Sequence, residues 1–312
     1  MTAAESQLRF PGRIGLGTWQ MGATPAEYDR DIGAVTHALE IGYRLVDTAE
    51  MYADGGAERV IGSALRAYGS SRRSSLFIVS KVTAENASAD AVVRSCEASI
   101  QRMGCDYLDL YLLHWPGVIP FVETLRGFAL LTQRKLIRNY GVSNFSVDDL
   151  QRWLLAERSL GLRSTLQCNQ VPYCAEARGF ESILQPWQRA RGIQTMAYWP
   201  LGRDGTAGLA RHPLLQQLGR ERGATAAQIA LAWCVREAEV VAIPKSTNHS
   251  RLEENLRAGE LRLSGHELQQ IDQAFPIRLK WLRQLLWLHQ LRSKLVRLAH
   301  RPETLVDSKS SQ

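Results

Sequence analysis

Residues 108–114 read Leu108-Asp109-Leu110-Tyr111-Leu112-Leu113-His114. A short apolar run that stops on one ionisable side chain is the pattern of a buried parallel strand emerging at a sheet end. The pattern recurs at Arg44-Leu45-Val46-Asp47 and Phe77-Ile78-Val79-Ser80-Lys81. Working outward, strands are expected at 13–17, 43–47, 77–81, 108–114, 139–143, 166–170, 194–198 and 240–244. Amphipathic stretches such as 87–103, 120–134 and 224–237 lie between them, and Gly, Pro and Asn punctuate the joins. Most strand-to-strand steps are close to the ~30 residues of a βαβ unit; the last is longer. Eight such units make a closed barrel of ~250 residues, the size of residues 13–275. A doubly wound sheet is the alternative, but its GxGxxG turn is absent: the first turn reads Gly15-Leu16-Gly17-Thr18-Trp19-Gln20 and lacks the third glycine. The expectation is an α/β chain with a single (β/α)8 TIM barrel over residues 1–276.

Hydrophobic residues are 45% and charged residues 22%, which excludes disorder, collagen and coiled coil for the bulk of the chain. No apolar run approaches the ~20 residues of a membrane helix. Residues 1–15 lack the basic-then-apolar pattern of a secretory leader, so a cytoplasmic protein is expected. Five cysteines (Cys96, Cys105, Cys168, Cys174, Cys234) form no CxxC pair, which argues against a disulfide framework and points to a reducing compartment. Of the net charge of +7, residues 277–312 carry +6, from eight Lys/Arg and two acids. The main body is nearly neutral and gives no reason to expect nucleic-acid binding.

Residues at the C-terminal ends of barrel strands share one mouth. Asp47, Lys81 and His114 end strands two, three and four, and Tyr52 follows strand two by five residues. Together they suit proton delivery. A free Tyr titrates near 10, too high for efficient acid work. A neighbouring Lys is expected to lower that value, Asp to hold the Lys, and His to bond both the phenol and a carbonyl oxygen. Singly, each has a plainer reading as a cap, a solvated charge or a packed ring. Such a set would protonate an oxygen becoming an alkoxide while a hydride reaches its carbon.

These residues lie in a run of motifs that resembles the aldo-keto reductases: Val46-Asp47-Thr48-Ala49-Glu50-Met51-Tyr52, Ser80-Lys81-Val82, Leu112-Leu113-His114-Trp115, Gly141-Val142-Ser143-Asn144-Phe145, Asn169-Gln170 and Ile243-Pro244-Lys245-Ser246. The resemblance spans about residues 10–276. The stretch from Asp47 to Glu58 is similar to bacterial members that reduce methylglyoxal and similar small aldehydes. The resemblance implies reduction of small aldehydes or ketones by NADPH, without a metal, by a monomer or weak oligomer. It makes Tyr52 the proton donor, Lys81 and Asp47 its tuning pair, and His114 the group that positions the carbonyl.

The resemblance also assigns the cofactor. Ser143, Asn144 and Gln170 match residues that hold the nicotinamide carboxamide, and Tyr198 matches the ring that stacks on it. Lys245, Ser246 and Arg251 match the grip on the adenosine 2′-phosphate, with Thr247 beside them. Glu254 and Asn255 match the adenine side, and Thr18 and Leu201 complete the set. Read without the motif, Arg251 and Glu254 would be an ordinary exposed helix pair. Trp19 and Trp115 match the aromatic wall of the substrate pocket, with Gln20, Met51 and Val118 nearby. One residue departs from the pattern: the chain has Tyr198-Trp199-Pro200-Leu201 where the family has a serine, which normally touches the cofactor diphosphate, after the tyrosine.

Residues 277–301 lack acids. On a helical wheel Trp281, Leu285, Leu288, Leu291, Leu295 and Ala299 gather opposite Arg283, Lys294, Arg297 and Arg301. Such a basic amphipathic helix suits packing on the barrel, a protein partner or an anionic membrane surface. Residues 303–312 are expected to be disordered. The tail supports a second reading, an NADPH-binding regulatory or redox-sensing protein with slow turnover. A barrel hydrolase or lyase ranks last, because the expected mouth lacks paired carboxylates and a His/Asp metal cluster.

Overall fold

A computed structural model describes residues 8–162, 166–203 and 208–277. The tail helix expected at 277–301 and the disorder expected at 303–312 lie outside the described residues, apart from Ile277. Eight strands run in sequence order: β1 (Leu16–Gly17), β2 (Leu45–Asp47), β3 (Phe77–Val82), β4 (Leu108–Leu113), β5 (Ile137–Ser143), β6 (Leu166–Pro172), β7 (Gln194–Tyr198) and β8 (Val240–Ala242). Each pairs with the next in parallel. The seam between β8 and β1 closes through the Ile14–Ala242 bridge. Backbone bonds from Gly15 N to Ala242 O (2.8 Å) and from Gly17 N to Pro244 O (3.1 Å) continue it. Gly17 is required there, because a Cβ would lie 2.6 Å from the carbonyl oxygen of Ile243. The fold is the expected (β/α)8 barrel.

The strand bounds differ from expectation for local reasons. Pro244 has no N–H to donate, so the regular ladder of β8 stops at Ala242 and that of β1 is short. Tyr43 belongs to the end of helix Pro25–Ile41: Gly42 is left-handed at φ 116° and Tyr43 N bonds back to Ala38 O. β4 ends at Leu113, yet His114 N still donates to Val82 O at 2.9 Å. The long last step holds two helices, Pro213–Arg222 and Ala226–Cys234, the second started by a Thr225–Gln228 capping box.

Side-chain alternation splits the apolar residues into two layers. Leu45, Val79, Leu110, Leu112, Cys168, Met196, Val241 and Ile243 fill the barrel interior, with Leu8 joining them. The outward side chains pack under the helices, as Trp153 does against Phe121, Phe128 and Phe145. No helix among the described residues is long and apolar enough to cross a membrane.

Candidate active site

The same alternation that points Val79 into the barrel points Lys81 inward one step higher, where the apolar filling ends. Lys81 is fully buried. Its ammonium has three donors and three acceptors: Asp47 Oδ2 at 2.8 Å, Thr48 O at 2.7 Å and the Tyr52 hydroxyl at 3.2 Å. The other Asp47 oxygen accepts from Gln170 Nε2 at 2.8 Å. The rings of Tyr52 and His114 meet edge to face with centroids 5.8 Å apart, and His114 packs on Trp115 at 4.7 Å. Side chains from three strand ends thus surround one phenol.

The backbone after β2 holds that phenol in place. Ala53, Asp54 and Gly55 are all left-handed, at φ 51°, 48° and 77°, and lead into helix Gly56–Tyr68. This turn presses on the loop after β1, where a Cβ at Gly56 would lie 2.5 Å from Gly22 O. Glu50 Oε1 accepts from Thr83 N (2.9 Å) and Asn86 Nδ2 (3.1 Å), tying the loop after β3 to the tyrosine loop. Buried Glu58 accepts from Ser80 Oγ at 2.6 Å and from Arg102, fixing β3 beside Lys81.

Electrostatics correct one expectation. Burial pushes the Tyr52 phenol above its ordinary value of 10 and outweighs the downward pull of Lys81. Tyr52 is therefore a neutral, proton-bearing phenol in the neutral range. Burial opposes the charge on Lys81, but Asp47 and Tyr52 outweigh it and the ammonium is held more firmly than usual. Burial raises the Asp47 carboxyl against the pull of Lys81 and Gln170. Burial, then Lys81, takes His114 down to about 2, so the imidazole is neutral. Its Nδ1 is buried without a hydrogen-bond partner among the described residues.

Ser143 ends β5 beside Gln170, and Asn144 follows it. Ser143 Oγ donates to Gln170 O at 3.0 Å, and Asn144 Nδ2 reaches His114 O at 3.0 Å and Ser143 Oγ at 3.1 Å. The Tyr198 hydroxyl donates to Asn144 Oδ1 at 2.7 Å. Thr18 spends its hydroxyl on the carbonyl of Asp47, at 2.9 Å. Leu201 is buried, and Trp19 is 48% exposed and meets Trp199 edge to face with ring centroids 6.4 Å apart. Gln20 is left-handed at φ 67°, and Met51 and Val118 are exposed.

A second group follows β8. Ser246 Oγ accepts from Asn248 N, and Asn248 caps helix His249–Ala258 through Arg251 N. Thr247 is half-buried, and Asn255 is buried. Lys245 and Arg251 are exposed and form no ion pair among the described residues. Arg251 and Glu254 do not form the helix pair that their spacing permits; Glu254 meets Ser250 Oγ instead.

The residues that sequence reasoning did not assign are Thr48, whose carbonyl holds the lysine, Met196, whose sulfur lies 2.8 Å from Gln170 Nε2, and the Glu50 and Glu58 ties. Thr48 and both glutamates sit inside the motif stretch from Val46 to Glu58, a signal for them; Met196 left none. Among the described residues no group of three or more His, Cys, Asp and Glu converges as a metal site.

Residues 13–275 match the model of the aldo/keto reductase family. Methylglyoxal reductase YeaE of Escherichia coli K12 is 39% identical over 268 residues, spanning 84% of this chain and 90% of its own. Methylglyoxal reductase DkgA of Salmonella typhimurium is 33% identical over 261 residues, spanning 83% and 88%. An aldo/keto reductase of Klebsiella pneumoniae, solved with NADP and acetate, superposes with a TM-score of 0.78 at 39% identity, covering 85% of this chain and 91% of that one. Family model, relatives and barrel agree, and the chain belongs to the aldo/keto reductase family.

Proposed function

We propose that this chain is a cytoplasmic, NADPH-dependent reductase of small aldehydes and ketones, with 2-oxoaldehydes such as methylglyoxal as its substrate class. The observation that carries this reading is the Tyr52 hydroxyl set 3.2 Å from the Lys81 ammonium and edge-on to a neutral His114. Relatives named as methylglyoxal reductases support the substrate class, and five free cysteines suit a reducing compartment.

The residues fit the cofactor. Asn144 and Gln170 offer the amide chemistry that a carboxamide needs. Lys245 and Arg251 are two exposed cations, in no ion pair among the described residues, that a phosphate would satisfy. Ser143, Asn144, Gln170 and Tyr198 would hold the nicotinamide end, and Lys245, Ser246, Thr247, Arg251, Glu254 and Asn255 the adenosine phosphate end, with Thr18 and Leu201 lining the path. When bound, NADPH supplies the hydride.

The chain's own part is proton work and orientation. His114, neutral, presents a nitrogen to the substrate carbonyl oxygen and orients it. Tyr52 gives its proton to that oxygen as charge develops. Lys81 stabilises the phenolate left behind, and Asp47 keeps the lysine in place. Trp19 and Trp115 wall the carbonyl in an apolar pocket. Residues 277–312 are read as a segment that meets a protein partner or an anionic membrane surface, on a monomer or weak oligomer. Co-sedimentation with anionic liposomes, with and without that segment, tests the membrane contact.

A carbonyl panel followed by NADPH absorbance, with methylglyoxal and aromatic aldehydes, tests the main reading. Turnover of a small carbonyl that falls steeply in Tyr52→Phe is the expected result. Tight NADPH binding without turnover of any carbonyl would favour a redox-sensing protein instead.

A further inference from the structure

Trp199 stands where the resemblance places a serine. It is left-handed at φ 51°, an uncommon conformation for a bulky residue that its neighbours must offset. Those neighbours are aromatic and cationic: the rings of Trp19 and Tyr198, with centroids 6.4 Å and 5.0 Å from that of Trp199, and the Arg203 guanidinium 5.4 Å from the ring centroid. Arg203 is exposed and pairs with no carboxylate among the described residues. Its charge reaches into the mouth: burial pushes the Tyr198 phenol up to about 12, while Arg203 pulls against that rise.

Position gives this cation a purpose. β7 ends at Tyr198 and pairs in parallel with β8. The nicotinamide residues lie at the ends of β5 to β7, and the exposed cations Lys245 and Arg251 follow β8. A dinucleotide joining the two groups must cross the tops of β7 and β8 with its diphosphate. The loops after strands seven and eight are where barrels commonly hold phosphate, and Arg203 lies in the first of them.

We propose that Arg203 is the diphosphate-binding cation of this protein, pre-positioned on the face of Trp199. The pair takes the place of the hydroxyl missing at position 199. A guanidinium offers two parallel donors to phosphate oxygens, and stacking on an indole limits the conformations that it must give up. This inference rests on the cofactor reading above.

The test is isothermal titration of the full chain with NADPH and with NADH, which share the diphosphate and differ in the 2′-phosphate. Arg203→Gln is expected to weaken both by about tenfold, with a shallower salt dependence. Arg251→Ala is expected to weaken NADPH alone. Trp199→Leu should weaken both dinucleotides less, and should add little to Arg203→Gln, because the two act as one unit. Unchanged affinities in Arg203→Gln would overturn the proposal. So would a raised KM for a carboxylate-bearing aldehyde at unchanged dinucleotide affinity, since Arg203 would then read the substrate. Failure of the unaltered chain to bind either dinucleotide would remove the cofactor reading and this proposal together.

Discussion

The Lys81 ammonium lies 3.2 Å from the Tyr52 hydroxyl, donating to it from a fully buried position. The same nitrogen holds the Asp47 carboxylate at 2.8 Å. One cation therefore serves both as the partner of a buried carboxylate and as the neighbour of the phenol proposed to give up its proton.

Tyr52→Phe keeps the ring against His114 and removes only the proton. Turnover should fall by ~10²–10⁴, the usual worth of a general acid, while NADPH affinity stays the same. Steady-state rates beside equilibrium titration check this; a fall in affinity matching the fall in rate would contradict it.

Asp47→Asn leaves Lys81 charged and buried without its counter-ion. Breaking one half of a buried pair costs ~3–5 kcal/mol, and ~2–4 °C of melting temperature accompanies each kcal/mol in a domain of this size. A loss of at least ~6 °C is expected, and Asp47→Asn with Lys81→Met should recover part of it. Melting curves of the single and double variants decide.

His114 titrates at about 2 in the folded chain against 6.5 when free. Between those values the unfolded chain binds a proton that the folded chain refuses, so stability rises with pH across the window. The contribution is fully present above 6.5 and is lost as pH falls, by up to ~1.4 kcal/mol per pH unit. Urea unfolding at pH 7 and pH 5 should show the unaltered chain losing ~2 kcal/mol more than His114→Asn. Parallel losses in the two proteins would show that His114 titrates normally.

Gly17→Ala would place a methyl group 2.6 Å from the Ile243 carbonyl oxygen, across the seam that closes the barrel. Overpacking of this kind costs ~1–3 kcal/mol. The midpoint of urea unfolding should drop accordingly, and an unchanged midpoint would mean that the seam yields.

Arg251 is exposed at the start of helix His249–Ala258 and forms no ion pair among the described residues. Arg251→Ala should raise the NADPH KM by about tenfold and leave the NADH value alone. KM values that rise together would argue against a 2′-phosphate grip.

Apolar periodicity and the ~30-residue spacing were enough to read eight strand–helix units, because each strand must be buried on both faces and each helix on one. The motifs brought Asp47, Tyr52, Lys81 and His114 forward as one set, since ionisable groups at strand ends stand out against apolar runs. The strand bounds at Tyr43 and Pro244 were less legible: a left-handed glycine cap and a missing N–H settle them locally.

What required the tertiary structure was the balance of opposing effects. Sequence alone determined which groups meet at the mouth; it suggested that the lysine would acidify the tyrosine. The fold buries that phenol deeply enough for desolvation to win, and it neutralises His114 by the same means. It also put a carbonyl of Thr48 on the lysine, and both Trp19 and Arg203 against Trp199. Spacing along a chain reports which side chains share a strand end. How much water each loses, and which backbone atoms face it, depends on elements remote in sequence that only folding brings together.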